Sequence, residues 1–239
     1  MKLEVCCDHL ESALIAQKSG ADRIELCSSL STGGLTPSLP MVQMVKESLS
    51  IPVMVLVRPR AGNFYYTAKE KELILREVEA LNKINIDGVV VGALTKDKTI
   101  EVAFMKEVKK AAGKMELTFH RAFDFVKDEK LALQQIIDLD FDRILTSGLA
   151  KTALLGKNIL KTLIERIGDE LIIMPGSGIN AGNIQQIMDY CNPREIHLSA
   201  KKSILETNNQ SAFNIDYYLT DEEALKKIKK IVNSHYSDK

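Results

Sequence analysis

Short apolar runs alternate with longer amphipathic segments along the chain, and no linker interrupts the alternation. Eight runs favour β-strands, at 3–7, 23–27, 52–58, 88–94, 116–120, 143–147, 171–175 and 195–200. The segments between them place apolar residues at helical spacing, as in HLESALIAQKSG and EKELILREVEAL. Because helices between successive strands imply parallel pairing, the pattern predicts an α/β fold of the (β/α)8 TIM-barrel type.

The alternative to a barrel is a doubly wound open sheet. Such a sheet buries both faces of its strands and makes them almost continuously apolar, whereas four of the runs here alternate polar with apolar residues. We therefore expect a single domain, with a barrel core at 1–200 and a C-terminal extension at 201–239 that ends in a closing helix. Phe213, Tyr217 and Tyr218 of the extension are expected to cover the barrel mouth, to meet another subunit, or simply to pack on the core.

The alternation also predicts which side chains enter the barrel lumen. In the first strand the outward residues are Leu3, Val5 and Cys7, and the inward residues are Glu4, Cys6 and Asp8. The same parity adds Glu25, Cys27, Arg58, Thr118, His120, Glu195, His197 and Ser199. An unpaired buried carboxylate costs several kcal/mol, so a lumen this polar needs internal partners or a ligand. The purely structural alternative is a network in which the glutamates pair with Arg58, His120 or His197.

The ends of the strands suggest a site for a small anion, because barrel enzymes carry their active sites there. The turn GSGIN at 176–180 is typical of a phosphate cradle, and its alternative is a plain turn with Asn180 as helix N-cap. The expected anion-binding residues are Arg58, Gly176, Ser177, Gly178, Asn180 and Ser199. In HRAFD, His120 and Asp124 are expected to form an acid–base pair, unless His120 is only structural.

Two inward cysteines suggest a metal site instead. Cys6 and Cys27 lie near the same end of neighbouring strands, and the last strand brings His197 to the other side of the first. Two thiolates and an imidazole are suitable ligands for Cu(I) or zinc. Cys7 cannot join them because its side chain faces the helices. The alternative is that the inward thiols are small, well-packed core groups.

Composition and charge limit the partners of the chain. It has 32 Lys and Arg against 32 Asp and Glu, which leaves no overall field to attract nucleic acid or an anionic membrane. No apolar run approaches the roughly 18 residues that cross a bilayer, and no apolar leader opens the chain. We expect a cytoplasmic protein with no nucleic-acid or membrane partner, whose 4 cysteines stay reduced.

Taken together, the motifs resemble the CutC family, the copper homeostasis proteins. The matching stretches, in chain order, are EVC at 4–6 followed by Asp8, GADRIELC at 20–27, GGLTPS at 33–38, RPR at 58–60, DGVVVGALT at 87–95, TFHRAFD at 118–124, LTSG at 145–148, MPGSGI at 174–179 and EIHLSA at 195–200. The resemblance implies a cytoplasmic (β/α)8 barrel that binds Cu(I), with Cys6 and Cys27 at the two motif cysteines. Two departures are Asn63, where the family pattern usually has Asp, and the added Cys7 and His9.

Other lumen residues favour a second hypothesis, because hard polar groups suit a small organic anion better than Cu(I). It is a lyase, isomerase or aldolase-like enzyme acting on a phosphorylated or carboxylated metabolite. His120 or Glu25 would be the acid or base, with Asp124 beside His120 and Arg58 stabilising charge. The third hypothesis is a non-catalytic interaction barrel. A homodimer is the default expectation for a soluble oligomer.

Overall fold

A computed structural model describes residues 1–204 and 217–237 of the protein. Eight parallel strands form the barrel: β1 Lys2–Cys7, β2 Arg23–Leu26, β3 Val53–Leu56, β4 Gly88–Val91, β5 Glu116–Phe119, β6 Arg143–Thr146, β7 Ile172–Pro175 and β8 Glu195–Leu198. The helices are α1 Leu10–Lys18, α2 Leu39–Ser48, α3 Ala68–Lys83, α4 Val102–Ala112, α5 Glu129–Asp138, α6 Lys157–Ile167, α7 Ile184–Cys191 and α8 Glu222–Ser237.

The strand order confirms the predicted barrel. The hydrogen-bonded order is β7-β6-β5-β4-β3-β2-β1-β8, so the first strand pairs with the last and the sheet curls into a nearly closed barrel. Val5 is paired with Leu198 on one side of β1, and Cys6 is paired with Glu25 on the other. An open doubly wound sheet does not bring its first strand against its last in this way.

The two faces of the strands build two separate apolar clusters, and the outward residues of β1 lie where the alternation predicted them. Leu3, Val5 and Cys7 belong to the large cluster between the strands and the surrounding helices. The small cluster lies in the lumen and consists of Cys6, Cys27, Met54, Leu56 and Val90. A shift of one residue would exchange the faces, so this division fixes the register of the polar lumen residues as well.

Local sequence explains where several helices begin and end. Thr67 caps α3 in a capping box with Glu70, and the Asp128 carboxylate accepts hydrogen bonds from the first backbone N–H groups of α5. Helix α4 ends at Ala112, and Gly113 follows with a φ of 62°, in the left-handed region that glycine adopts without a Cβ clash. These signals return the chain to the next strand at the correct end of the barrel.

The C-terminal extension packs on the barrel in its described part. Strands β9 Lys201–Ile204 and β10 Tyr217–Thr220 form an antiparallel hairpin, and α8 buries Leu225, Ile228 and Val232 in the outer core. Tyr217 contacts the His9 ring and Tyr218 stacks under Lys201, while Phe213 lies outside the described residues. Within residues 1–204 and 217–237, every helix is too short or too polar to cross a membrane.

Candidate functional site

A cavity of about 390 Å³ opens at the C-terminal ends of the strands, which we call the mouth. Most of the residues that the sequence predicted for a site line it: Cys6, Glu25, Cys27, Arg58, His120, Ser177, Gly178, His197 and Ser199. Arg121 and Lys201 also line it and add positive charge. Gly176, Asn180 and Asp124 do not belong to its described lining, and Asp8 faces a separate surface cavity beside Tyr217.

Below the mouth, the lumen is closed by an ion network built around two arginines that the sequence analysis did not name. Arg23 donates hydrogen bonds from Nε to Glu4 and from Nη2 to Glu195. Both donor–acceptor distances are 2.5 Å, and all three side chains are buried. Arg143 donates from Nε to Glu195 over 3.1 Å and from Nη1 to the Thr118 hydroxyl. The structural network therefore exists. Its arginines at the strand starts were not among the expected partners and Arg58 and His120 are not part of it, whereas His197, which was expected, contacts Glu4 and Glu25.

The network keeps the Glu4 carboxylate ionised. Burial alone would raise the pKa of Glu4, but Arg23 and the hydrogen bond from His197 outweigh it and lower the pKa to about 2. Burial would likewise lower the pKa of Arg23, and Glu4 and Glu195 raise it instead. This part of the lumen has its hydrogen-bonding groups engaged and acts as a floor beneath the cavity.

His197 connects this floor to the cavity. Its Nδ1 lies 2.8 Å from Glu4 Oε1, and its Nε2 lies 3.4 Å from Glu25 Oε2. Because Glu4 is ionised, it accepts a hydrogen bond from the Nδ1–H group and holds the ring with Nε2 facing Glu25. Burial opposes protonation of His197, but the two carboxylates raise its pKa above 6.5. Burial raises the pKa of Glu25 to about 7, although His197 and Arg23 act in the opposite direction.

The two motif cysteines meet at the base of the cavity. Cys6 Sγ and Cys27 Sγ are 3.7 Å apart, and both residues are buried. Cys6 Sγ, a Glu25 oxygen and a His197 nitrogen also lie within 4.8 Å of one another. Contact with Cys27, together with burial, raises the pKa of the Cys6 thiol well above 9.0. Cys7 faces the outer core, as predicted, where its Sγ lies 4.0 Å from the Thr220 hydroxyl.

His120 directly follows β5 and lies across the cavity from β1 and β2. Its Nδ1 accepts a hydrogen bond from the Ala122 N–H, while its buried Nε2 has no hydrogen-bond partner among the described residues. Burial, with a contribution from the Arg58 charge, lowers the pKa of His120 to about 3. The ring is therefore neutral, and its proton sits on Nε2. Gly92 makes room for it, because a Cβ there would lie 2.7 Å from Nδ1.

Arg58 ties two loops together at the mouth. Its Nη1 donates a hydrogen bond to the Gly34 carbonyl and its Nη2 donates one to the Gly62 carbonyl, both at a distance of 2.9 Å. The guanidinium also stacks over the Phe64 ring, 5.1 Å from the centroid. Both terminal nitrogens are thus engaged by the protein, whereas the buried Nε has no hydrogen-bond partner among the described residues, so Arg58 contributes charge and loop position more than a two-pronged clamp for an anion.

The expected pair of His120 and Asp124 is wrong. Asp124 accepts hydrogen bonds from the Thr146 and Ser147 hydroxyls and from the backbone N–H groups of Ser147 and Leu149. Its other partner is Arg121, at 2.8 Å. The carboxylate is buried and fully engaged, so it positions Arg121 and the β6 loop and does not serve His120. Nothing in the motif alone distinguishes these two pairings.

The GSGIN turn is only partly at the site. Ser177 and Gly178 line the cavity, but Ser177 Oγ donates to the Lys151 carbonyl. Asn180 is not the helix N-cap, because α7 begins after Asn183. Instead, Asn180 Oδ1 accepts a hydrogen bond from the Gly182 N–H and shapes the turn. Of the turn residues expected to bind an anion, only Ser177 and Gly178 line the cavity, as Ser199 and Lys201 also do.

Fold and site define the class of protein first: a single-domain (β/α)8 barrel with thiol, imidazole and carboxylate groups at its mouth. The chain belongs to the CutC family, whose sequence model matches residues 1–202. It is 43% identical over 201 residues to the human copper homeostasis protein cutC homolog, covering 84% of this chain and 74% of that protein. It is 44% identical over 202 residues to the family protein CutC of Vibrio parahaemolyticus, covering 83% and 81%.

Solved structures agree with this assignment. CutC from Streptococcus agalactiae is similar with a TM-score of 0.79 and 29% identity, over 82% of this chain and 97% of that one. Phosphoribosyl anthranilate isomerase from Thermotoga maritima is similar with a TM-score of 0.58 and 16% identity, over 98% and 99%. The second likeness shows the barrel fold alone. The family predicted from the motifs is confirmed.

Proposed function

We propose that the protein binds Cu(I) through Cys6 and Cys27 and thereby serves copper homeostasis. The observation that carries the proposal is the distance of 3.7 Å between the two Sγ atoms at the base of an open cavity. Thiolates are the ligands that Cu(I) prefers, so the donor pair fits this ion. The human relative is described as a copper homeostasis protein homolog, which supports the same assignment.

The groups around Cys6 and Cys27 determine what must happen when Cu(I) binds. Because the pKa of the Cys6 thiol is well above 9.0, Cys6 is protonated in the metal-free protein and binding must release its proton. His197 and Glu25 stand beside Cys6. The described cysteines are buried and free, which fits the reducing cytoplasm that we propose as the compartment. A homodimer stays a prediction.

The test is an anaerobic competition for Cu(I) against a chromogenic chelator. We expect tight one-to-one binding by the wild type, and a large loss in Cys6→Ser and in Cys27→Ser. Cys7→Ser is the matched control, because Cys7 follows Cys6 in the chain but faces the outer core. Thermal unfolding without metal verifies that each variant is folded. Weak wild-type binding, or binding indifferent to both lumen cysteines, contradicts the proposal.

A second candidate function is catalysis on a small phosphorylated or carboxylated metabolite, and His120 is the observation that favours it. An unpaired buried N–H costs about 1–3 kcal/mol, and a carbonyl or anionic oxygen of a ligand would accept it. Arg121 and Lys201 line the same cavity and would attract an anion. Glu25 is the other candidate for an acid or base in this enzyme. The proposal does not depend on Glu25.

Thermal shift with inorganic phosphate, oxalate and pyruvate tests the second candidate, because a ligand that binds the folded state raises the melting temperature. We expect stabilisation of the wild type by at least one of these anions, and less of it in His120→Gln. Asp140→Asn, a change on the exposed surface, is the control. A flat response to all three anions would instead favour the non-catalytic interaction barrel.

A further inference from the structure

Three side chains of different chemistry meet on the adjacent strands β8, β1 and β2. Cys6 Sγ, a Glu25 carboxylate oxygen and a His197 ring nitrogen all lie within 4.8 Å of one another. The register produces this arrangement, since Cys6 is paired with Glu25 across β1 and β2, and His197 is paired with Glu4 across β8 and β1. All three side chains line the cavity, so a bound ion would be reachable from the mouth.

The hydrogen bonding of His197 is a second, independent observation that points to a metal. Ligating histidines usually donate the ring N–H away from the metal to a carboxylate, which fixes the ring and increases its basicity. Here Nδ1 lies 2.8 Å from Glu4 Oε1, and Glu4 is itself held by Arg23. The buried Glu4 and Arg23 therefore hold the His197 ring so that its Nε2 faces Glu25 and Cys6.

The mixed donor set favours zinc over Cu(I). One thiolate, one imidazole and one carboxylate are all ordinary zinc ligands, whereas Cu(I) prefers sulfur alone. The charges agree with this choice, because a divalent ion offsets one thiolate and one carboxylate and leaves no net charge in a buried place. Cu(I) between two thiolates would leave a net negative charge next to the Glu25 carboxyl group.

The geometry points to a zinc-type divalent cation site held by Cys6, Glu25 and His197, with its fourth position open to the cavity. Three protein ligands and an open position are typical of zinc sites that bind or transform a ligand. Cys27 Sγ lies 3.7 Å from Cys6 Sγ but is not one of the three grouped ligands. The inference shares Cys6 with the proposed copper site but does not require copper binding.

The two metals can be separated with one isosteric substitution. Zn²⁺ alone is titrated into reduced, metal-free protein in competition with a chromogenic zinc chelator, and Cu(I) is titrated in parallel. In Glu25→Gln we expect Zn²⁺ affinity to fall by about tenfold or more while Cu(I) affinity is unchanged. Glu116→Gln is the matched control, because Glu116 is a half-exposed carboxylate on β5 that pairs with Arg143 away from the cavity. It should leave both affinities unchanged.

The cysteines complete the comparison. Cys27→Ser should weaken Cu(I) binding much more than Zn²⁺ binding, and Cys6→Ser should weaken both. A wild-type protein that binds Cu(I) but not Zn²⁺, or a Zn²⁺ affinity that Glu25→Gln does not change, overturns the zinc inference and leaves the copper proposal standing. Zn²⁺ binding that depends on Glu25, without Cu(I) binding, sinks the copper proposal alone.

Cobalt gives a readout that needs no variant. Co²⁺ is added to the wild type, and its absorption spectrum reports whether a thiolate coordinates the ion and whether the geometry is tetrahedral. We expect a thiolate-to-cobalt charge-transfer band that Zn²⁺ removes by displacement. A cobalt spectrum without a thiolate band overturns the inference even if Glu25→Gln fails to fold.

Discussion

Arg23 Nη2 and Glu195 Oε2 lie 2.5 Å apart in the barrel lumen, and each side chain is 3% exposed. The same guanidinium binds Glu4, so one buried arginine joins strands β1, β2 and β8 beneath the cavity. Arg143 approaches Glu195 from β6 and extends the network across the barrel. The mouth of the barrel, with its thiols and His120, stands above a floor whose charges are already paired.

Removing Arg23 should therefore be costly. In Arg23→Met two carboxylates, Glu4 and Glu195, lose the guanidinium that they share, and breaking a buried pair from one side costs about 3–5 kcal/mol. We expect a loss of this size in the free energy of unfolding, measured by urea denaturation at neutral pH. Arg76→Met is the control, because its ion pair with Glu72 is exposed and worth less than about 1 kcal/mol. Equal costs for the two variants would contradict a buried network.

The fold could be predicted from the sequence because period and parity determine it. Alternation in β1 separated Cys6 from Cys7 correctly, and a shift of one residue would have exchanged them. The floor could have been found by the same rule. Arg23 has the parity of Glu25, and the short repeat Asp-Arg-Ile at 22–24 and 142–144 places both arginines at strand starts.

Side-chain partners were harder to predict than faces. Asp124 is four residues from His120 in the chain, yet it bonds Thr146 and Ser147 of the next strand end. Such a choice depends on the path of the loop after the strand, which no periodic pattern determines. For the same reason, the engagement of Arg58 by the Gly34 and Gly62 carbonyls was not foreseen.

Glu25 should make stability depend on pH. Its pKa is raised from 4.5 to about 7, so between these values the folded chain keeps a proton that the unfolded chain releases. The wild-type free energy of unfolding then falls as pH rises through this window and stays lower above it. Glu25→Gln removes the titration. We expect its stability relative to wild type to rise across the window, by on the order of 3 kcal/mol.

Urea denaturation at several pH values across that window measures this difference. Glu79→Gln, which removes a carboxylate from the exposed face of α3, provides the control. A difference for Glu25→Gln that is flat, or that falls with rising pH, would mean that burial does not dominate at Glu25.

The pKa values of the two lumen histidines should be shifted in opposite directions from the ordinary value. Burial lowers the pKa of His120 to about 3, whereas the carboxylates around His197 raise its pKa above 6.5 despite its burial. The measurement is an NMR titration of protein labelled at histidine Cε1. The chemical shift of His120 should stay constant across the neutral pH range, and that of His197 should change with a midpoint above pH 6.5. His120→Gln assigns the first signal. A His120 midpoint near the ordinary value would remove the argument for a neutral donor.

Cys6 and Cys27 should resist disulfide formation although their sulfur atoms are neighbours. The β1–β2 register pairs Cys6 with Glu25, so Cys27 lies two residues further along β2. Strand spacing of about 4.8 Å and a rise of about 3.3 Å per residue put the two Cα atoms about 8 Å apart, beyond the limit of about 7 Å for a disulfide. The raised pKa of Cys6 also leaves little thiolate to react.

After mild oxidation with diamide and unfolding in denaturant, we therefore expect all 4 cysteines to react with a thiol reagent. Loss of two thiols in the wild type but not in Cys27→Ser would show that the strands move enough to close the bond. The lumen pair would then be a redox couple as well as a metal ligand set. Retention of all the thiols would fit a cysteine pair whose spacing allows both sulfur atoms to bind one ion but does not allow a disulfide bond.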